Sequence, residues 1–280
     1  MEGVGLVAPC PDKLASCAPP AVPPDVYDED YFLDVCAGSK EWRASAGAEA
    51  SGVYAGLVAL AGVTPGDTLV DIGTGRGELL VAALDAGATR SVGVEYSESA
   101  VALARRTLAA RGVGDRADVL YCDARAVPLH VGAADVVTFC DVVEHLTPDE
   151  LADALGEANR LLRPGGRVFV HTFPTRTIYD VTYRTLRIVL GRWRRWPRDP
   201  RNEHERIMHV NEQTRSSLRR ALHHTGFDPV DVWRGDAVYV DFLPGERAKH
   251  LYRRLAAHRP TRPLAVANLF ASARKAGGER

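Results

Sequence analysis

The chain has 280 residues, a net charge of −1, 46% hydrophobic residues and 25% charged ones. That balance excludes a mainly disordered chain, a collagen-like repeat and a uniformly basic nucleic-acid coat, and the length suits one large α/β domain or two small ones. Of the 35 basic residues only Lys13, Lys40, Lys249 and Lys275 are lysine; arginine favours planar, two-pronged contacts with anions, so the position of the arginines matters more than their number.

In chain order, Pro9, Pro11, Pro19, Pro20, Pro23 and Pro24 lie among small side chains and predict a flexible tail over residues 1–26. A single domain is expected over 27–280, beginning where Tyr27, Tyr31 and Phe32 cluster. The N-terminus lacks the basic-then-apolar pattern of a secretory signal, and no stretch approaches the roughly 18 apolar residues of a membrane span. Cys10, Cys17, Cys36, Cys122 and Cys140 form no C-x-x-C pair. A reducing, cytoplasmic setting is the expectation.

Between Thr68 and His171 short apolar runs alternate with longer amphipathic ones. Leu69–Ile72 reads as a strand, Gly77–Ala86 as a helix closed by Gly87, Ser91–Glu95 as a strand, and Ser97–Ala110 as a helix capped by Ser97. Ala117–Cys122 and Ala134–Phe139 are further strands. Pro148–Leu162 is a helix with Thr147 as N-cap, and Pro164-Gly165-Gly166 turns into the strand Arg167–Thr172. Continuous apolar strands separated by helices predict a doubly wound α/β fold with a mostly parallel sheet, its cofactor half at about 65–172. Beyond it the rhythm breaks. Residues 174–212 form an arginine-rich insertion at the carboxyl side of the sheet, with a helix expected over Ile178–Leu190, and are the candidate substrate cap. A helix over Thr214–Thr225 and a hairpin of Phe227–Trp233 with Val266–Ala273 complete the C-terminal part, about 213–275.

The first strand runs into Asp71-Ile72-Gly73-Thr74-Gly75-Arg76-Gly77-Glu78. A sharp strand-to-helix turn needs glycine for positive φ and for close backbone approach to a ligand. The spacing is G-x-G-x-G; a dinucleotide fingerprint needs glycine at position 78, where Glu78 stands. Glu95 ends the second strand, placed for ribose hydroxyls, and Asp123 follows the third, where an adenine amino group could be met.

With these segments in order the chain resembles the class I S-adenosylmethionine-dependent methyltransferases: Val70–Glu78, Ser91–Glu95, Cys122-Asp123, Asp135–His145 and Leu161–Gly166 match over about residues 65–172. The resemblance implies S-adenosylmethionine as cofactor, held by Asp71, Gly73, Gly75, Gly77, Glu95 and Asp123, with Thr74, Tyr96, Ala124 and Asp141 beside them.

Methyl transfer is an in-line displacement, and a hydroxyl acceptor must also lose a proton to a base or a metal. Asp141-Val142-Val143-Glu144-His145 stands at the catalytic edge of the sheet. It is similar to the E-x-x-E-H element of ubiquinone-pathway O-methyltransferases and of small-RNA 3′-end 2′-O-methyltransferases, the latter having a further histidine where His209 lies. The resemblance makes Asp141, Glu144, His145 and His209 catalytic candidates, as bases or as the ring of ligands around a divalent ion, Mg²⁺ or Mn²⁺ in first place. The pattern departs at Asp141, where those families carry glutamate. His204 to His209 is not a zincin motif, because Met208 occupies the position of the second histidine.

Between Arg184 and Arg206 eight arginines face Asp199, Glu203 and Glu205, with Trp193 and Trp196 interleaved. The segment is a solvated cap helix, an electropositive rim for an anionic acceptor, or a contact for membrane or nucleic acid. The flanks resemble bacterial sugar and natural-product methyltransferases. The expected reaction is therefore O-methylation of a sugar, glycan or secondary metabolite, with RNA 2′-O-methylation and a non-catalytic cofactor-binding scaffold as alternatives. Expected partners are a small-molecule or glycan acceptor and a second copy of the chain, with no stable nucleic acid or membrane.

Overall fold

The computed structural model describes residues 18–173, 176–184, 187–188, 198–199, 201–235, 250, 254, 257–258, 266 and 268–276. The strands are β1 (Thr68–Ile72), β2 (Arg90–Glu95), β3 (Ala117–Tyr121), β4 (Ala134–Cys140), β5 (Leu162–Thr172), β6 (Phe227–Gly235) and β7 (Asn268–Lys275). The helices are α1 (Ser39–Ser45), α2 (Gly52–Ala61), α3 (Glu78–Asp85), α4 (Glu98–Arg111), α5 (Pro148–Leu161), α6 (Glu203–Met208) and α7 (Arg215–His224).

The strands form one sheet in the order β3-β2-β1-β4-β5-β7-β6. The first five are parallel, and β7 is antiparallel to both β5 and β6. The fold is the doubly wound, mostly parallel α/β architecture expected from the strand–helix alternation. Leu69, Val70, Ile72, Val136, Val137 and Phe139 are all buried, as strands covered on both faces require. Alternate residues feed two cores. Val70, Ile72 and Val137 pack with Leu151 and Leu155 of α5 and Leu218 and Leu222 of α7, while Leu69 and Val136 pack with α2, α3 and α4. Strand order reverses between β1 and β4, which opens a crevice at their carboxyl ends.

Three expectations change. The tail is structured from residue 18: the Ala21 amide donates to Glu150 (2.8 Å), and Val22 is buried in a third cluster with Tyr27, Phe32, Trp42 and Met208. The proline content hid one polar anchor and one apolar one. Pro164-Gly165-Gly166 does not precede β5 but lies inside it, taken up by a register shift against β4 between Ala134 and Val136. Finally, Ile178–Tyr183 forms a π-helical turn, while residues 185, 186, 189 and 190 of the expected helix lie outside the described residues, as do Trp193 and Trp196. Among the described residues no helix is long and apolar enough to cross a membrane.

Candidate functional site

The glycine loop joins β1 to α3. The Gly73 and Thr74 amides donate to the Val94 carbonyl (2.8 and 3.2 Å), tying the loop to β2. Gly73 has φ 70°, and a Cβ there would run into Val142; Gly77 has φ 76° and sits against Ala104 of α4. Both glycines are therefore required by backbone sign and by space. Asp71 is buried and accepts from Thr138 Oγ1 (2.6 Å); burial pushes its carboxyl up to about 7. Glu95 accepts from the amides of Gly75 (3.0 Å), Tyr96 (2.8 Å) and Ser97 (2.9 Å), so it braces the loop as well as lining the cavity beside it. Asp123 is gripped by Arg125 (2.7 Å) and lines, with Ala124 and Tyr96, a small cavity of about 50 Å³ roofed by Pro20 and Val22.

Arg76, whose role the sequence reading missed, is buried and pairs with Glu78 (2.5 Å), while its remaining N–H groups donate to the carbonyls of Phe32 and Ala37. An arginine between two loop glycines, followed two residues later by glutamate, was the available signal.

At the end of β4 the chain turns through Val142 to His145, and α5 starts behind it on a capping box of Thr147 and Glu150. The Glu144 carbonyl accepts from the amides of both Val210 and Asn211 (3.0 Å each), which draws His209 in from beyond α6. The rings of His145 and His209 meet edge-on, and the Tyr27 hydroxyl lies 2.9 Å from His145 Nδ1. Burial, followed by His209, pushes His145 down to about 3, and burial lowers His209 as well, so both imidazoles are neutral. Burial and then the nearby Asp141 push Glu144 up. Its Oε2 accepts from Thr172 Oγ1 (2.9 Å), whereas Glu144 Oε1 and His209 Nδ1 are buried without a hydrogen-bond partner.

Donor atoms of Glu144, His145 and His209 all lie within 4.8 Å of one another. Two imidazoles and one carboxylate could hold a divalent ion, and the set suits Mn²⁺, Zn²⁺ or Fe²⁺ better than oxygen-seeking Mg²⁺. Asp141, expected as a fourth ligand, is not in this group. Its backbone is left-handed (φ 56°), and its carboxylate turns to His171 Nδ1 at 3.0 Å.

A cavity of about 690 Å³ is lined by all of these parts: Gly73 and Gly75, Asp141, and Glu144, His145 and His209. Tyr31 and Val35 line it as well, while Trp42 packs away from it, donating to Thr107 Oγ1 (2.8 Å). The positive-φ glycines Gly73 and Gly75 on the cavity wall, and the Glu95 and Asp123 carboxylates, fit S-adenosylmethionine.

Residues 69–166 match a methyltransferase-domain family model. A ubiquinone/menaquinone biosynthesis C-methyltransferase of Ralstonia pickettii is 31% identical over 207 residues, 71% of this chain and 79% of that protein. A demethylmenaquinone methyltransferase of Thermus thermophilus is 37% identical over 107 residues, 38% of this chain and 47% of that protein. The methyltransferase in a complex with the Haloferax volcanii Trm112 activator has the same fold, with a TM-score of 0.60 at 19% identity over 90% of this chain and 99% of that one.

The Ralstonia relative is named for methylation at carbon. This overturns the expectation of O-methylation of a sugar, glycan or secondary metabolite, and neither RNA 2′-O-methylation nor a non-catalytic scaffold finds support among these relatives. The physical reason is that a neutral base near a hydroxyl serves two chemistries equally: it frees an oxygen nucleophile, or it pushes electron density into an adjacent carbon.

Proposed function

Because the chain belongs to the class I S-adenosylmethionine-dependent methyltransferases and is an enzyme of that family, we propose that it methylates a ring carbon of a small quinol-type acceptor. The observation that carries this reading is the 31% identity to the Ralstonia pickettii C-methyltransferase across 79% of that protein. The cavity chemistry supports it.

S-adenosylmethionine, held by Gly73, Gly75, Glu95 and Asp123, supplies an electrophilic methyl group when bound. The acceptor hydroxyl gives its proton to His209 Nδ1, the buried nitrogen that lacks a partner. The ring carbon beside that hydroxyl gains electron density and bonds the methyl carbon as the sulfur–methyl bond breaks, its electron pair staying on the now neutral sulfur; the ring proton then leaves to solvent while His209 returns its proton to the oxygen, which restores the aromatic ring. His145, fixed by Tyr27 and carrying a hydrogen bond to the Met208 carbonyl, keeps the His209 ring edge-on. Tyr31 and Val35 supply apolar wall for an aromatic ring.

The test is turnover of the full chain with ¹³C-methyl S-adenosylmethionine and a reduced, short-chain demethylquinone, with the product examined by NMR. A methyl carbon bonded to ring carbon is the expected product. A methoxy signal, or no product from any quinol, would overturn the reading.

A second reading places a divalent ion on Glu144, His145 and His209, favoured by donor atoms within 4.8 Å of one another. Turnover that EDTA dialysis abolishes and Mn²⁺ or Zn²⁺ restores would favour it over the free base.

A further inference from the structure

Asp141 closes β4 in a backbone conformation uncommon for a residue with a side chain. What holds it there runs back into the core. Its amide donates to the His171 carbonyl (3.0 Å), and its Oδ1 lies 3.0 Å from His171 Nδ1. The other ring nitrogen of His171 lies 2.8 Å from Asn268 Oδ1. His171 on β5 and Asn268 on β7 are both fully buried, and the imidazole is covered by the Phe270 ring at 4.9 Å.

The arrangement therefore crosses three neighbouring strands, from Asn268 through His171 to Asp141, and Asp141, with a side chain 36% exposed, is the member that lines the cavity. A polar chain at the centre of an apolar sheet is costly. Well-packed hydrophobic residues of similar volume would commonly be as stable or more so, so the chain needs a purpose at its outer end.

That end has a definite address. Gly73 and Gly75, and Glu144, His145 and His209, line the same cavity as Asp141; Val142, the next residue in the chain, lies against Gly73, and Glu144 follows three residues on. The methyl group must pass from the first set to the second, and it leaves a sulfur that is positively charged before transfer and neutral afterwards. We propose that Asp141 is the counter-ion of the donor's sulfonium, and that His171 and Asn268 are positioning residues which hold its carboxylate on that stretch of wall. A fixed carboxylate there favours the charged donor over the spent, neutral thioether, which assists exchange after each turnover. The proposal rests on the use of S-adenosylmethionine and is independent of which acceptor is methylated.

The test needs no acceptor. Calorimetry would compare the affinities of the full chain for S-adenosylmethionine and S-adenosylhomocysteine, which differ in the sulfonium charge. Asp141→Asn is expected to weaken the first roughly tenfold and leave the second nearly unchanged, the size of effect one partly solvated charge pair supplies. Asn268→Leu should move the ratio in the same direction by a smaller factor. His171→Gln, whose amide can still donate to Asp141, should keep more of the preference than His171→Phe. If His171→Phe fails to fold, the Asn268 and Asp141 variants carry the test alone. Loss of both affinities by the same factor, or no change in their ratio in Asp141→Asn, would overturn the proposal, even with methyl transfer to a quinol fully established.

Discussion

The rings of His145 and His209 stand edge to face, with centroids 4.9 Å apart and planes at 89°, on the wall of the cavity that the glycine loop also lines. Both are held neutral by burial, and His209 Nδ1 has no hydrogen-bond partner. A neutral imidazole with an open nitrogen is a ready proton acceptor. Replacing His209 by alanine is expected to lower kcat by roughly 100- to 10,000-fold, the range for loss of a general base. Binding of S-adenosylmethionine should change little, since the loop's hydrogen bonds run to Val94 and Glu95 and not to His209. Steady-state kinetics paired with calorimetry checks both halves, and a variant that keeps turnover removes His209 from the mechanism.

Asp71 gives a stability prediction with a definite sign. Burial raises its folded-state pKa to about 7, against an ordinary carboxyl near 4. Below pH 4 both folded and unfolded chains carry the proton, and the group costs nothing. From about pH 4 to 7 the unfolded chain ionises first, so stability is lost as pH rises; above 7 the loss saturates, at most on the order of 4 kcal/mol. Asp71→Asn keeps an acceptor for Thr138 Oγ1 and removes the slope. Urea midpoints of the two proteins should converge at acid pH and diverge, in favour of the variant, between pH 5 and 8. Parallel curves would show that Asp71 titrates normally.

Arg76 and Glu78 are both almost fully buried, so neither can lose its partner cheaply. Arg76→Ala leaves the Glu78 carboxylate uncompensated and the Phe32 and Ala37 carbonyls without their donor. The expected cost is about 3–5 kcal/mol, characteristic of breaking one half of a buried pair. Arg76→Met combined with Glu78→Gln should cost clearly less, because no lone charge remains. Denaturant unfolding of the two variants measures the difference, and equal losses would contradict this account.

How much was legible beforehand depends on the range of the interaction. The glycine loop, β1 to β4 and the Thr147 N-cap are local patterns, written in periodicity and turn chemistry, and they appear where expected. His209 was reached through a motif resemblance, and what brings it to His145 is a pair of backbone hydrogen bonds to Glu144 that no spacing encodes. The direction of Asp141 depends on a left-handed φ and on Asn268, a residue from the opposite end of the chain. Such contacts belong to tertiary packing and leave no trace in local composition. The acceptor atom was illegible for a chemical reason, since one base serves both hydroxyl and ring-carbon nucleophiles.

The segment that proline content marked as a tail yields the last prediction. Pro20 and Val22 roof the small cavity beside Glu95 and Asp123. The segment is fastened at several points: the Ala21 amide to Glu150 (2.8 Å), the Ala18 carbonyl to Arg125 (2.7 Å), the Val22 carbonyl to the Tyr96 hydroxyl (3.3 Å) and the Tyr27 carbonyl to Ser97 Oγ (2.7 Å). If the adenine end of the cofactor lies under this roof, then loosening the roof weakens binding without touching the loop. Val22→Asp puts a charge where an almost fully buried valine stands, and Ala21→Pro removes the donor to Glu150. Burial of one valine contributes about 1.5–3 kcal/mol and one hydrogen bond about 1 kcal/mol. Val22→Asp is therefore expected to raise the Kd for S-adenosylmethionine by tenfold or more, and Ala21→Pro by roughly fivefold. Stopped-flow dissociation should place most of each effect in a faster off-rate, as is usual when contacts to a bound ligand are weakened. Unchanged dissociation in both variants would mean that residues 18–27 cover the domain without closing the cofactor site.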